Sequence, residues 1–219
     1  MNMNNVRFFS SWSGGKDSCL ALYRAKEVGG IPEVLLTMLT ESGERSRSHG
    51  LHPSVLMAQA EAMGIAWLSG SAAWDNYEDA FLSILEKLKV RGLVHGVFGD
   101  IDLEPHRQWV EKVCARQDVT PYLPLWLGER RALMDEFLAA GFTATIIAVQ
   151  DEKLDRTFLG RALDSRTVDD LEAAGVDACG EEGEYHSVVT GGPLFAKPLV
   201  LKHGDIHNHD GYSFLEVTV

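Results

Sequence analysis

From residue 6 to about residue 116, short β-prone runs alternate with helix-patterned segments, and this alternation constrains the fold more than any other feature of the chain. Strands are expected at residues 6–10, 34–40, 65–68 and 93–98. Helices are expected at 17–28, stopped by Gly29-Gly30, and at 53–63, where Pro53 suits a first helical position. Tyr77, Phe81, Ile84, Leu85 and Leu88 give a third helix its apolar stripe, and Pro105 opens a fourth with Trp109, Val110 and Val113 on one face. The pattern predicts an α/β fold: a parallel sheet with helices on both faces, whose ligands gather at the carboxyl ends of the strands.

Two polar clusters fall at such ends, SSWSGGKDS after the first strand and GDIDLEPHR after the fourth. Beyond residue 126 the pattern changes. A helix around Leu133, Met134, Phe137 and Leu138 is followed by a strand at 142–149 and two short helical stretches at 154–163 and 165–174. Strands are then expected at 186–190, 199–202 and 214–219, with 203–211 reading as a turn. The division predicted is 1–127 as an α/β domain and 128–219 as a smaller α+β domain.

Ser13, Gly14, Gly15, Lys16, Asp17 and Ser18 join the first strand to the first helix. Two glycines let backbone amides approach an anion, the helix N-terminus adds its positive end, and Lys16 adds a full charge. Phosphate or pyrophosphate suits such a loop. It is not the GxxxxGK[ST] pattern, because Asp17 follows Lys16 and Ser10 stands five residues before Gly15. A plain strand–helix turn with an Asp cap is the alternative.

The string SGGKDS resembles the pyrophosphate loop of the N-type ATP pyrophosphatases, the PP-loop family. GEEGEYHSVVTGGPLF at 180–195, with PLW at 124–126 and GFTATIIAV at 141–149, narrows the resemblance to the diphthine–ammonia ligase branch, in its short single-chain form. Ser187 stands where that family usually has Thr, which keeps the hydroxyl. The resemblance implies a HUP-type (Rossmann-like) nucleotide domain. It also implies a ligase that adenylates a carboxylate, diphthine on elongation factor 2, releases pyrophosphate and transfers ammonia to give diphthamide and AMP. ATP, Mg2+ and ammonium are the implied cofactors and substrates, with the translation elongation factor as protein partner. Short members also occur in bacteria, which make no diphthamide, so another acceptor, for example in cobamide salvage, stays open. So does a non-catalytic adenine-nucleotide-binding regulator.

The implied roles fall on named residues. Lys16, Glu184 and His186 are the catalytic candidates; Ser13, Gly14, Gly15, Lys16, Asp17, Ser18 and Asp100 are the nucleotide-binding ones. Glu181, Glu182, Tyr185 and His106 are candidates for substrate contact, and Asp17 and Glu184 for the Mg2+ that accompanies ATP. The acids, Tyr185 and His186 between Gly180 and Ser187 could hold metal, move a proton as ammonia attacks, or bind a trimethylammonium by charge and cation–π attraction. An acidic surface turn is the plainer account. Asp100 and Asp102 also suit loop acids, and His106 also reads as a histidine at a core edge.

Other features weigh less. His203, His207 and His209 offer a metal reading without any cysteine or paired-helix support. Arg45, Arg47 and His49 could touch phosphate or substrate, although a solvated loop explains them too. Cys19, Cys114 and Cys179 contain no CxxC, which disfavours a zinc ribbon, a redox pair or tRNA thiolation; burial is the expected fate of Cys19. Lys+Arg 20 against Asp+Glu 32 gives a net charge of −12, which repels nucleic-acid backbone and anionic lipid. The start of the chain lacks a signal-peptide pattern and no apolar run suggests a membrane span, so a cytoplasmic protein is expected, with a homodimer compatible.

Overall fold

A computed structural model describes residues 2–219. Five strands form one sheet: β1 (Arg7–Ser11), β2 (Ile31–Leu39), β3 (Ala66–Ser71), β4 (His95–Val97) and β5 (Thr120–Tyr122). All neighbours are parallel and the order is β3-β2-β1-β4-β5. Reversal of strand order on either side of β1 makes the β1/β4 edge a topological switch point, where open α/β sheets place ligands. Helices α1 (Lys16–Glu27), α3 (Tyr77–Val90) and α4 (Glu104–Arg116) connect the strands, together with α2 (Pro53–Met63). Phe9, Val34 and Leu36 of the sheet pack with Phe81, Leu85 and Leu88 of α3 and Val110 and Val113 of α4 in one buried cluster. The apolar stripes read from the sequence therefore do become the core face.

The last strand of this sheet was not signalled by the sequence. β5 has three residues and contains Pro121, which lowers strand propensity; it sits at the sheet edge, where a missing N–H is tolerated.

A second, antiparallel sheet has the order β7-β6-β9-β8, built from β6 (Thr143–Gln150), β7 (Tyr185–Gly191), β8 (Lys202–His209) and β9 (Tyr212–Thr218). Helices α5 (Arg130–Ala139) and α6 (Ser165–Ala173) and a 3-10 turn at Arg156–Phe158 accompany it. The fold class is thus Rossmann-like α/β with a separate C-terminal sheet. Three local expectations need correction. Residues 199–201 lie outside any strand, and β8 begins only at Lys202. Residues 203–209 are strand, not turn, and the reversal is confined to Asp210 (φ 49) and Gly211 (φ 79). The polar composition misled because β8 is an edge strand with all eight residues exposed, so no apolar alternation marks it. Between residues 154 and 163 only the 3-10 turn is helical.

The chain packs as two compact units. The first holds residues 2–13, Asp17–Arg47 and Ile65–Leu127; the second holds Gly14–Lys16, Ser48–Gly64 and Gly128–Val219. Three glycine-loop residues and all of α2 therefore group with the C-terminal sheet.

Candidate functional site

In the second unit, Gly14 lies at φ +86, a left-handed conformation that favours glycine. Its carbonyl accepts from the Val189 amide (2.9 Å) and from the Gln59 side-chain amide (2.9 Å). The same Gln59 nitrogen donates to the Val189 carbonyl at 2.8 Å, and Gln59 is fully buried. The Lys16 amide faces the Ser187 hydroxyl at 3.4 Å. A Cβ on Gly15 would lie 2.1 Å from Cε1 of His49 and 3.1 Å from the Ser187 carbonyl. Gly15 is therefore required by close packing, with a histidine ring on one side and β7 on the other.

Lys16 is buried, and its ammonium lies 5.2 Å from the centroid of the Tyr185 ring. Tyr185 donates its hydroxyl to the Ala178 carbonyl at 2.6 Å, and its ring packs so closely that a Cβ on Gly180 (φ +62) would come within 2.5 Å. One face of this aromatic ring is thus engaged by a cation of the chain itself. Glu184 is buried and accepts from the Glu182 amide at 3.1 Å. The turn before it is pinned by Asp177, which takes amide hydrogen bonds from Cys179, Gly180 and Glu181 and pairs with Arg130 at 2.9 Å. Glu181 is half-buried and Glu182 exposed. The acidic segment is an ordered turn, and of its acids Glu184 is the one directed inward.

His186 stacks on His49 at 4.7 Å between ring centroids and on Tyr212 at 6.1 Å. Burial and the nearby Lys16 charge push His186 down to about 4. Burial, His186 and Lys16 hold His49 well below the usual histidine value, against a hydrogen bond with the Ser187 backbone that works the other way. Nδ1 of His49 is buried without a hydrogen-bond partner. At neutral pH the site therefore presents two stacked neutral imidazoles beside one ammonium. An arriving polyanion would meet Lys16 and the amides of the glycine loop.

The remaining candidates belong to the first unit. The hydroxyls of Ser13 and Ser18 lie 3.0 Å apart, and the Ser13 amide faces the Ser18 hydroxyl at 3.4 Å. Gly99 admits the backbone of the α1 start: a Cβ there would lie 2.9 Å from the Asp17 carbonyl carbon and the Ser18 nitrogen. Asp100, which follows β4, sits 3.6 Å from Nδ1 of His106. His106 is exposed rather than at a core edge, because α4 turns Val110 and Val113 inward and leaves its first turn in solvent. Cys19 is buried, and burial with the Asp17 charge raises its thiol well above the ordinary value, which removes it as a nucleophile.

Among the described residues no group of three or more His, Cys, Asp or Glu side chains is placed to hold a metal ion. His203, His207 and His209 go separate ways: His207 stacks on Phe214, His209 faces Asp210, and His203 lies near Gly160. Arg47 and His49 are not solvated loop residues. His49 packs on Gly15 and His186, and Arg47 lies 4.1 Å over the Trp74 ring. Gln59 and Tyr212 escaped the sequence reading altogether. The only signal for Gln59 was a polar residue on the apolar face of α2.

A family model described as the diphthamide synthase N-terminal domain matches residues 6–121, and one described as the diphthamide synthase C-terminal domain matches residues 129–218. A diphthine–ammonia ligase of Bos taurus is 27% identical over 94% of this chain and 86% of its own. One of Danio rerio is 28% identical over 92% of this chain and 89% of its own. A solved structure, described as a predicted subunit of tRNA methyltransferase from Methanocaldococcus jannaschii, is 17% identical with a TM-score of 0.46, covering 89% of this chain and 100% of that chain.

Proposed function

The chain belongs to the diphthamide synthase family, and from that premise we propose that it is an ATP-dependent carboxylate–ammonia ligase that forms AMP. Its relatives bear the name diphthine–ammonia ligase, so diphthine on elongation factor 2 is the proposed acceptor and diphthamide the product. The observation that carries the reading is the binding of Gly14 and Lys16 to Ser187 and Val189, directly and through Gln59. Two motifs some 170 residues apart in sequence serve one unit, and both are needed for adenylation followed by amide formation.

In this reading the amides of Gly14 and Gly15 and the Lys16 ammonium hold the pyrophosphate that leaves. Ser13, Asp17, Ser18 and Asp100 serve the rest of the nucleotide. The acceptor carboxylate attacks the α-phosphate, the α–β bond breaks, and pyrophosphate departs. Ammonia then attacks the acyl carbon, AMP leaves with the bonding electrons, and the nitrogen loses its proton. His186 takes that proton: the phosphates offset the Lys16 charge that helps to hold this imidazole low, and so raise it toward its ordinary value. Glu184 orients the nitrogen nucleophile, and Glu181, Glu182 and His106 contact the acceptor. Tyr185 acts through Lys16, whose ammonium it seats.

Mg2+ is proposed to neutralise phosphate charge, with Asp17 or Glu184 as its protein ligand; an ion that keeps most of its shell in phosphate and water needs only one or two carboxylates. Residues 1–127 are proposed as the ATP-binding segment and 128–219 as the substrate segment. No helix among the described residues is long and apolar enough to cross a membrane, and a cytoplasmic location with free ammonium as nitrogen source completes the proposal.

The test uses ATP labelled at the α-phosphate, with Mg2+ and ammonium, and elongation factor 2 with or without diphthine. Labelled AMP that appears only with the diphthine form is expected. No diphthine-dependent AMP would overturn the acceptor assignment.

A further inference from the structure

Arg47 in the first unit is held in an unusual way. Its amide donates to the Met38 carbonyl at 3.1 Å, and the preceding Ser46 bridges to Leu39, so the loop returns along the carboxyl end of β2. Its guanidinium lies 4.1 Å over the Trp74 ring and 5.8 Å from the centroid of Tyr77. Nε and Nη2 both donate to one carbonyl, that of Ala72, which follows β3. The side-on edge of the fork is thus occupied, and the end-on edge, formed by Nη1 and the second hydrogen of Nη2, remains for a two-oxygen acceptor. Among the described residues no carboxylate pairs with Arg47, although acids outnumber Lys and Arg by 32 to 20. Arg7, Arg107, Arg116, Arg130, Arg131, Arg156 and Arg161 all have one.

An arginine flattened on an indole, fixed by a backbone carbonyl and left without an acid gives up little rotamer freedom when an oxyanion arrives. It also stands at the end of the parallel sheet where ligands bind. Trp74 is 76% exposed, so solvent and ligand reach the place. We propose that Arg47 is a preorganised oxyanion receptor, and that the group it takes is the carboxylate of the acceptor substrate. This rests on the ligase reading above. Carboxylate and phosphate both match the fork; the carboxylate is favoured because the chain already supplies a phosphate cradle in Gly14, Gly15 and Lys16.

The experiment records arginine guanidinium 15N spectra of the full-length protein, with the Arg47 signal identified by its loss in Arg47→Lys. Sodium acetate and ATP are titrated separately. A saturable shift of the Arg47 signal with acetate, weakened severalfold in Trp74→Ala, is expected, with no shift from ATP. A response to ATP alone would overturn the carboxylate assignment in favour of a phosphate contact, and no response to either would overturn the receptor. In AMP formation, Arg47→Gln is expected to raise KM for the diphthine-bearing factor by roughly tenfold or more with KM for ATP unchanged. Because the acetate titration needs no turnover, failure of the diphthine acceptor and failure of the Arg47 assignment give different results.

Discussion

The rings of His49 and His186 stack at 4.7 Å with an interplanar angle of 28°, beside the Lys16 ammonium that helps to keep both neutral. Two histidines in face contact beside a third cation cannot all be charged at low cost. The pair is thus a local acid-sensitive element of the second unit.

Stability is expected to fall as pH drops from about 6.5 to about 4. His186 titrates near 4 when folded and near 6.5 when unfolded, so the unfolded chain binds more protons across that window. His49 shifts in the same direction. The loss from His186 is on the order of 3 kcal/mol. Urea midpoints at pH 7.5, 6 and 4.5 measure it, and His49→Phe is expected to flatten the slope. An equal slope in both proteins would dissociate the stack from the acid response.

Gly15→Ala is expected to destabilise the second unit by about 1–3 kcal/mol, because the new methyl would collide with the His49 ring. Combined with His49→Ala, much of that loss should return, since the obstruction is then gone. Urea melts of the two single variants and the double variant give the coupling; strict additivity would place the strain elsewhere.

Gln59→Leu leaves the loop and β7 without their shared amide donor. Although the Val189 amide still reaches Gly14, the Val189 carbonyl stays buried without this bond, and a cost of about 1–3 kcal/mol is expected. Amide hydrogen exchange should show faster opening at Lys16 and Val189 while β1 and β2 keep their protection. Uniform loss of protection would show that the bridge is not local.

Lys16→Met is expected to cut AMP formation by about 100-fold or more and, in the same protein, to raise the titration point of His186, because a positive neighbour is removed. Histidine NMR of the variant reads the second effect without any turnover. Glu184→Gln should abolish product formation; full turnover in that variant would remove Glu184 from the mechanism.

The β1–β4 strands, four helices and the glycine loop were legible because local patterns create them: apolar stripes on α3 and α4, Pro53 at the start of α2, the glycine pair before Lys16. What stayed hidden depends on partners distant in sequence. Nothing about His49 in a loop, or Gln59 in a helix, announces that one will pack on Gly15 and the other bridge Gly14 to Val189. Edge strand β8 hid for the opposite reason, since a strand exposed on both faces needs no apolar alternation. Pro121 concealed β5 by the same freedom at a sheet edge.

The grouping of Gly14–Lys16 and Ser48–Gly64 with the unit that otherwise begins at Gly128 has a consequence for inheritance. A gene cut at codon 127 would not release two transferable cassettes. The later piece would have lost helix α2, Gln59 and the backbone on which Val189 rests. Recombination between distant relatives at that seam would join a loop and a strand never selected together. The two halves are therefore expected to travel through evolution as one transmitted block, however separable they look along the sequence.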